Sequence, residues 1–315
     1  MASILLIGSG EIAHHYLVAL RQLGHFHIDV LSRTIEGSTK FGKTYELHNC
    51  FGGGISTLPS IVNNYSAIIL ASPIETLLPY VQYLVNIGFP RILVEKPLVL
   101  NSSQLALLLE QTDTSSVMVA LNRLFYPSYC KLFEISAIDP IRSVDFSFTE
   151  WIHRIQTSKY STGVLQKWGV SNCIHVISTV FDLIGQPRSL SSLVEGPNDI
   201  PWHPTGSIFK GFGVSAKAIP FSYSSDWRSA GRWSITASTS SGSYHLEPME
   251  SLDFTKLGTL GKKTIVPAWD SMTKCGFVPM LDYWLNTNTV HPRYSLPTLC
   301  EHIRTIEYIM YSPRS

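Results

Sequence analysis

Along the first third of the chain, short aliphatic runs alternate with stretches of helical length. Ser3 to Ile7 is followed by Glu11 to Leu23, and His27 to Leu31 by a polar stretch. Ser66 to Ala71 leads into Glu75 to Ile87, then Arg91 to Val94, Ser102 to Gln111 and Ser116 to Ala120. Runs of Ile, Leu and Val without polar interruption are what strands buried on both faces look like, and their alternation with helices predicts a doubly wound parallel α/β sheet. The unit is expected to end near residue 121.

Past a predicted helix at Tyr129 to Ile135 the texture changes. Arg142 to Phe148, Ser207 to Ala216, Arg232 to Thr239 and Ser243 to Glu247 alternate apolar with polar positions and are separated by turn residues. That period of two predicts a largely antiparallel open sheet with one wet face. A helix over Asn172 to Ile184 would cover it. Residues 122–315 thus read as a second, α+β domain. The helical period at Leu296 to Tyr311 would let the last helix pack back on the first domain.

Composition narrows the class. At 315 residues the chain exceeds one ordinary hydrophobic core, which favours two domains. With 44% hydrophobic and 15% charged residues it reads as globular, and a net charge of +1 gives no reason to expect nucleic acid or an anionic membrane as partner. A small molecule is the expected partner. The five cysteines, Cys50, Cys130, Cys173, Cys275 and Cys300, show neither paired nor metal-type spacing, so no disulfide framework and no metal site is expected. The first apolar run is too short for a signal peptide or membrane span. A cytoplasmic protein with reduced thiols is the expectation.

Gly8-Ser9-Gly10-Glu11-Ile12-Ala13 sits between the first strand and the first helix. The first glycine permits a tight turn, the second lets backbone approach a pyrophosphate, and a small third residue lets helix and strand pack closely. Amides at the helix N-terminus would face the phosphates. This is a Rossmann dinucleotide loop in the right context. About 20 residues on, where an acid holds the ribose of NAD, stand Ser32 and Arg33. A hydroxyl beside a guanidinium suits a 2′-phosphate, so NADP is favoured, with NAD the alternative. Asp29 is the rival acid, but lies inside the strand.

Glu95-Lys96-Pro97, directly after the strand Arg91 to Val94, resembles the signature of the Gfo/Idh/MocA oxidoreductase family. Four further features stand in that family's order: the glycine loop, Ala71-Ser72-Pro73, Asn122-Arg123-Leu124-Phe125-Tyr126-Pro127, and a helix carrying His175 before Gly185. The resemblance implies cofactor contacts from Ser72, Pro73, Glu95, Lys96 and Asn122, besides Gly8, Ser9, Gly10, Glu11, Ile12, Ser32 and Arg33. In that family the lysine points into the cleft where nicotinamide and substrate meet, next to a proline often described as cis. These roles fall on Lys96 and Pro97. A lysine at the carboxyl end of a parallel strand also sits where open α/β sheets bind ligands. Near a positively polarised nicotinamide its proton affinity should fall, making it a hydrogen-bond donor or proton carrier.

The family's second motif, D-x-G-x-H-x-x-D, reads here Ser171-Asn172-Cys173-Ile174-His175-Val176-Ile177-Ser178. Only the histidine is kept. Helical spacing of four puts Ser171 on the face of His175, where the family has an aspartate. A serine hydrogen-bonds but holds no charge, so His175 should have a lower proton affinity and a less fixed geometry. Glu95 and Asp182 are not obvious replacements, and Cys173 has no evident base partner for a nucleophilic role.

Between the second domain's first strand and this helix, Trp151-Ile152-His153-Arg154 and Tyr160-Ser161-Thr162-Gly163 border the substrate in that family. Their rings and hydroxyls suit a sugar, and Arg154 suits a phosphate or carboxylate. The expected substrate contacts are Lys96, Arg123, Trp151, Arg154, Tyr160, Ser171, Asn172 and His175. The leading expectation is an NAD(P)-dependent oxidoreductase acting on a secondary hydroxyl of a sugar or nucleotide-sugar. His175 would exchange the hydroxyl proton and Lys96 would hydrogen-bond the same oxygen, making these two the catalytic residues. Two alternatives stay open: a catalytically silent dinucleotide- and sugar-binding regulatory protein, and a non-redox sugar enzyme with a tightly held nicotinamide. A homo-oligomer is expected by resemblance.

Overall fold

The computed structural model describes residues 3–24, 26–269, 271 and 273–312. The chain forms two units, neither continuous in sequence. The first takes residues 1–99, 103–122 and 271–300, and the second 100–102, 123–270 and 301–315.

In the first unit the aliphatic runs become β1 (Ser3–Ile7), β2 (His27–Leu31), β3 (Cys50–Phe51), β4 (Ala67–Leu70), β5 (Ile92–Val94) and β6 (Val117–Val119). All pair in parallel, in the order β3-β2-β1-β4-β5-β6. Stepping outward from β1 in both directions makes this a doubly wound sheet, and the carboxyl ends at the reversal point form its natural ligand crevice. Ile4, Leu5, Leu6, Ile68, Ile69, Leu93 and Val94 are wholly buried, as strands covered on both faces require.

The connecting helices are α1 (Glu11–Leu23), α2 (Ile35–Tyr45), α3 (Leu58–Ile61), α4 (Ile74–Asn86) and α5 (Ser102–Gln111). Sequence periodicity misses α2, whose two glycines and two threonines make a poor helix former. Thr34 compensates by capping its first turn through Gly37 N–H, at 3.2 Å. Late in the chain α9 (Phe277–Asn286) completes this unit. Phe277 lies 4.9 Å from the Tyr16 ring of α1, and Arg91 at the head of β5 donates to the Leu285 carbonyl, at 2.7 Å.

The second unit holds α6 (Pro127–Ser136), β7 (Ser143–Phe148), α7 (Thr162–Gln166), α8 (Ile174–Ile184), β8 (Pro187–Glu195), β9 (Ile208–Ser215) and β10 (Pro220–Asp226). It continues with β11 (Trp233–Ser238), β12 (Gly242–Leu246), β13 (Leu252–Lys256) and β14 (Lys262–Val266). They form one sheet, β14-β13-β12-β11-β7-β10-β9-β8, antiparallel except where β10 pairs with β7. The predicted alternation holds: Val144, Phe146, Phe148, Ile235, Ala237, Tyr244 and Leu246 are buried, and the residues between them are more open. From Glu301 onward α10 (Leu296–Tyr311) belongs to this unit, where Ser192 and Tyr308 bond it to β8.

Candidate functional site

The glycine loop closes as a tight turn between β1 and α1. Gly8 has φ 126°, and its N–H donates to the Leu31 carbonyl at 2.8 Å. A Cβ there would collide with the Ala71 carbonyl, its carbon 2.7 Å away, so glycine is required by both conformation and space. Gly10 differs. It is the N-cap of α1 with φ −92°, and a Cβ on it would meet no atom within 4 Å. Its missing side chain leaves open space in front of the α1 amides, and Ala13 is fully buried. Ser9, Glu11 and Ile12 carry the loop into the first turn. That shape fits a dinucleotide pyrophosphate held by helix N-terminal N–H groups.

At the end of β2, Ser32 is buried and donates its hydroxyl to the Thr34 carbonyl at 2.7 Å, while Arg33 is exposed. The rival Asp29 is 2% exposed and fully engaged. It accepts from Tyr65 Oη at 2.7 Å, from Asn49 N and Nδ2 at 3.2 and 3.1 Å, and contacts His27 Nε2 at 3.1 Å. It anchors β2 to its neighbours and has no capacity left for a ribose. Burial, then the bond to Asp29, pushes the Tyr65 hydroxyl well above its ordinary value.

Ser72 and Pro73 open α4, and Ser72 Oγ accepts from Thr76 Oγ1 at 2.8 Å. Glu95 and Lys96 follow β5, and the Lys96–Pro97 peptide is cis. Glu95 Oε1 accepts from the buried Tyr16 hydroxyl at 2.6 Å. Burial, then the Glu95 charge, raises the Tyr16 hydroxyl well above its ordinary value, so it stays a donor. Asn122, after β6, is buried and its Nδ2 donates to the Cys275 carbonyl at 3.1 Å.

In the second unit His175 begins the second residue of α8 and is 7% exposed. Residues Gly169–Cys173 before it form a π turn, not an α turn. The wider turn breaks the spacing of four on which Ser171 and His175 would share a face. Ser171 Oγ instead donates to the Val164 and Lys167 carbonyls, at 3.3 and 3.1 Å. Ser178 likewise donates to backbone, the His175 carbonyl at 3.4 Å. Both serines that stand for family acids therefore serve the helix.

A buried acid stands elsewhere in this unit. Glu150, two residues past β7, is 2% exposed. Its Oε1 accepts from Asn172 Nδ2 at 2.8 Å and Trp233 Nε1 at 3.1 Å, and its Oε2 lies 3.1 Å from Arg232 Nη1. Burial raises the Glu150 carboxyl above its ordinary value, and Arg232, Asn172 and Trp233 oppose that rise. The Trp233 ring lies 5.8 Å from His175, and both Arg123 and Arg232 approach it, with Cζ at 4.6 and 4.4 Å from a ring centroid. Burial and then Arg232 itself lower the proton affinity of Arg123, with Tyr126, Glu250 and Glu150 acting the other way.

Of the expected substrate residues, Arg123, Trp151, Arg154, Asn172 and His175 belong to this cluster through direct contacts or one shared neighbour. Tyr160 meets the Trp168 ring edge-on at 5.0 Å, and Ser171 bonds to backbone. Glu150, Arg232 and Trp233 were missed. A signal existed for Glu150: the period of two that buries Val144, Phe146 and Phe148 places residue 150 on the same inward phase, and a carboxylate there needs partners.

One unit holds a doubly wound parallel sheet and the other an eight-stranded, mostly antiparallel sheet. No family model matches the sequence, and no curated protein matches it. Solved structures do match. An oxidoreductase from Thermotoga maritima is similar with a TM-score of 0.79 and 16% identity, covering 99% of this chain and 96% of that one. A Gfo/Idh/MocA family oxidoreductase from Vibrio cholerae gives 0.76 and 17%, over 96% and 95%. An oxidoreductase from Agrobacterium radiobacter, in complex with NAD+, L-tartaric acid and magnesium, gives 0.78 and 14%, over 97% and 94%. The chain has the two-domain fold of Gfo/Idh/MocA oxidoreductases, as the resemblance at Glu95-Lys96-Pro97 implies.

Proposed function

We propose that the protein is an NAD(P)-dependent oxidoreductase acting on a secondary hydroxyl of a sugar or nucleotide-sugar. The observation that carries this reading is the pairing of Gly8, where no side chain fits, with Gly10, where one would project into open space at the α1 N-terminus. A tight turn that served packing alone would need the first glycine but not the second. A nicotinamide dinucleotide bound there would supply hydride-transfer chemistry. Gly8 to Ile12, Ser72, Pro73, Glu95 and Asn122 are assigned to holding it, and Ser32 with exposed Arg33 to a 2′-phosphate. With Asp29 committed to Tyr65 and Asn49, NADP is the favoured form.

Lys96 is assigned as a hydrogen-bond donor to substrate, and His175 as the group that takes or returns the hydroxyl proton. Glu150 supports the redox reading over a silent binding protein, because the cluster around Trp233 retains a carboxylate although the helix motif has lost both of its own. The solved structure carrying NAD+ and L-tartaric acid supports the cofactor class and a polyhydroxylated substrate.

The test is incubation of the purified protein with NADP or NAD and a panel of sugars and nucleotide-sugars, following reduced-nicotinamide absorbance. Turnover that is lost in Lys96→Ala and His175→Ala is expected. Failure to bind either dinucleotide by calorimetry would overturn the proposal, and binding without any turnover would favour the silent protein.

A further inference from the structure

In the second unit three guanidinium groups gather around two indoles. Arg232 is paired with Glu150. Arg154 has no carboxylate partner among the described residues, and its guanidinium rests 4.6 Å from the Trp151 ring centroid. Arg232 reaches the same ring, at 5.2 Å, so two guanidinium groups share one indole. Arg123 adds a third on Trp233, next to Arg232. The acids facing Arg123 are Glu150 and Glu250, and Glu150 is already bonded to Arg232, Asn172 and Trp233.

Cation–π contact offsets part of the repulsion between these arginines, but a folding unit gains nothing from collecting like charges at one place. Trp151 is also held for a purpose other than burial. It is 38% exposed, yet its Nε1 is fixed by a 2.8 Å bond to the Gly231 carbonyl. A fixed, part-exposed indole offers apolar contact to the C–H groups of a sugar, and the two guanidinium forks against it match a carboxylate or phosphate.

We infer that the substrate is an anionic carbohydrate, its carboxylate or phosphate held by Arg154 and Arg232 beside the Trp151 ring. The inference rests on the proposed oxidoreductase reading for the carbohydrate, and on the arginines for the charge. Arg154 and Arg232 act as specificity determinants. A neutral sugar would give Arg154 no anionic partner and leave Arg232 with Glu150 alone.

The test uses the full-length protein with NADP or NAD present and a matched series: a neutral hexose, the hexuronate, the hexose phosphate and the UDP-hexose. Binding is read by calorimetry and turnover by nicotinamide absorbance. At least one anionic member is expected to bind about ten-fold or more tighter than the neutral hexose, with an affinity that falls as salt is raised. Arg154→Gln, at an exposed position, should abolish that preference. Arg232→Lys, which keeps a cation for Glu150, should reduce it. The hexuronate against the two phosphate-bearing members tells which anion is read. Equal binding of neutral and anionic members, no binding of any anionic member, or an Arg154→Gln variant with its preference intact overturns the inference. Turnover without charge preference would leave the oxidoreductase reading standing. Arg154-dependent binding without turnover would do the reverse.

Discussion

The Tyr16 hydroxyl donates to Glu95 Oε1 across 2.6 Å, joining the helix that follows the glycine loop to the residue before Lys96. The Tyr16 hydroxyl is wholly buried, so the bond sets the spacing between the two segments assigned to the cofactor. Tyr16→Phe leaves the carboxylate without this donor. It should cost about 1–3 kcal/mol in urea unfolding and weaken dinucleotide binding, and unchanged values of both would sink the assignment of Glu95.

The two loop glycines should fail differently. Gly8→Ala meets the Ala71 carbonyl at a positive φ, and should destabilise the fold by about 2–4 kcal/mol in thermal or urea unfolding. Gly10→Ala finds room and an allowed backbone, so its stability cost should stay within about 1 kcal/mol, while dinucleotide affinity falls by at least about ten-fold. A Gly10→Ala protein that binds the cofactor normally would remove the main support for the site.

Arg33→Ala should weaken NADP by about ten-fold or more and leave NAD nearly unaffected, as read by calorimetry with each dinucleotide. Equal losses would refute the 2′-phosphate assignment.

Burial depresses two histidines of the second unit, His203 and His302, each to about 4 from 6.5. His203 also faces Lys167, which lowers it further, and His302 faces Asp182, which opposes the fall. A depressed folded value means stability present above about pH 6.5 and lost as pH falls toward 4. Each contributes on the order of 3 kcal/mol to that loss. Unfolding free energies measured from pH 7 to 4 should fall steeply, and His203→Gln or His302→Gln should flatten the decline.

Glu150 has the opposite sign. Its carboxyl is raised, so its contribution is complete below the unfolded value near 4.3 and is lost as pH rises through the folded one. The stability of the unmodified protein relative to Glu150→Gln should therefore be greatest near pH 4 and decline toward pH 8. A difference that grows with pH would show that Arg232 outweighs burial.

Sequence periodicity finds elements wherever one physical demand dominates. The strands β1, β4 and β5 are legible because burial on both faces forces unbroken aliphatic runs, and β7 and β11 because one wet face forces alternation. It misses β8, whose serine-rich residues are mostly exposed, and β13 and β14 at the far edge, where little apolar surface is buried to mark a phase. The site divides in the same way. Gly8, Gly10 and Lys96 are readable because backbone geometry and strand ends constrain them locally. Glu150 meets Asn172 and Trp233 only through pairing of β7 with β11 and the packing of α8, contacts across 22 and 83 positions that no local pattern encodes.

Because both units are assembled from separated stretches, synthesis and folding cannot run in step. When the ribosome has made residue 122 the parallel sheet exists in sequence, but α9, which packs Phe277 on Tyr16, is still more than a hundred codons away. The second unit waits longer, since Gly169 N–H bonds to the Tyr311 hydroxyl and His203 Nε2 lies 3.0 Å from the same oxygen. The nascent chain must keep an unfinished parallel sheet out of aggregation until its late helices emerge.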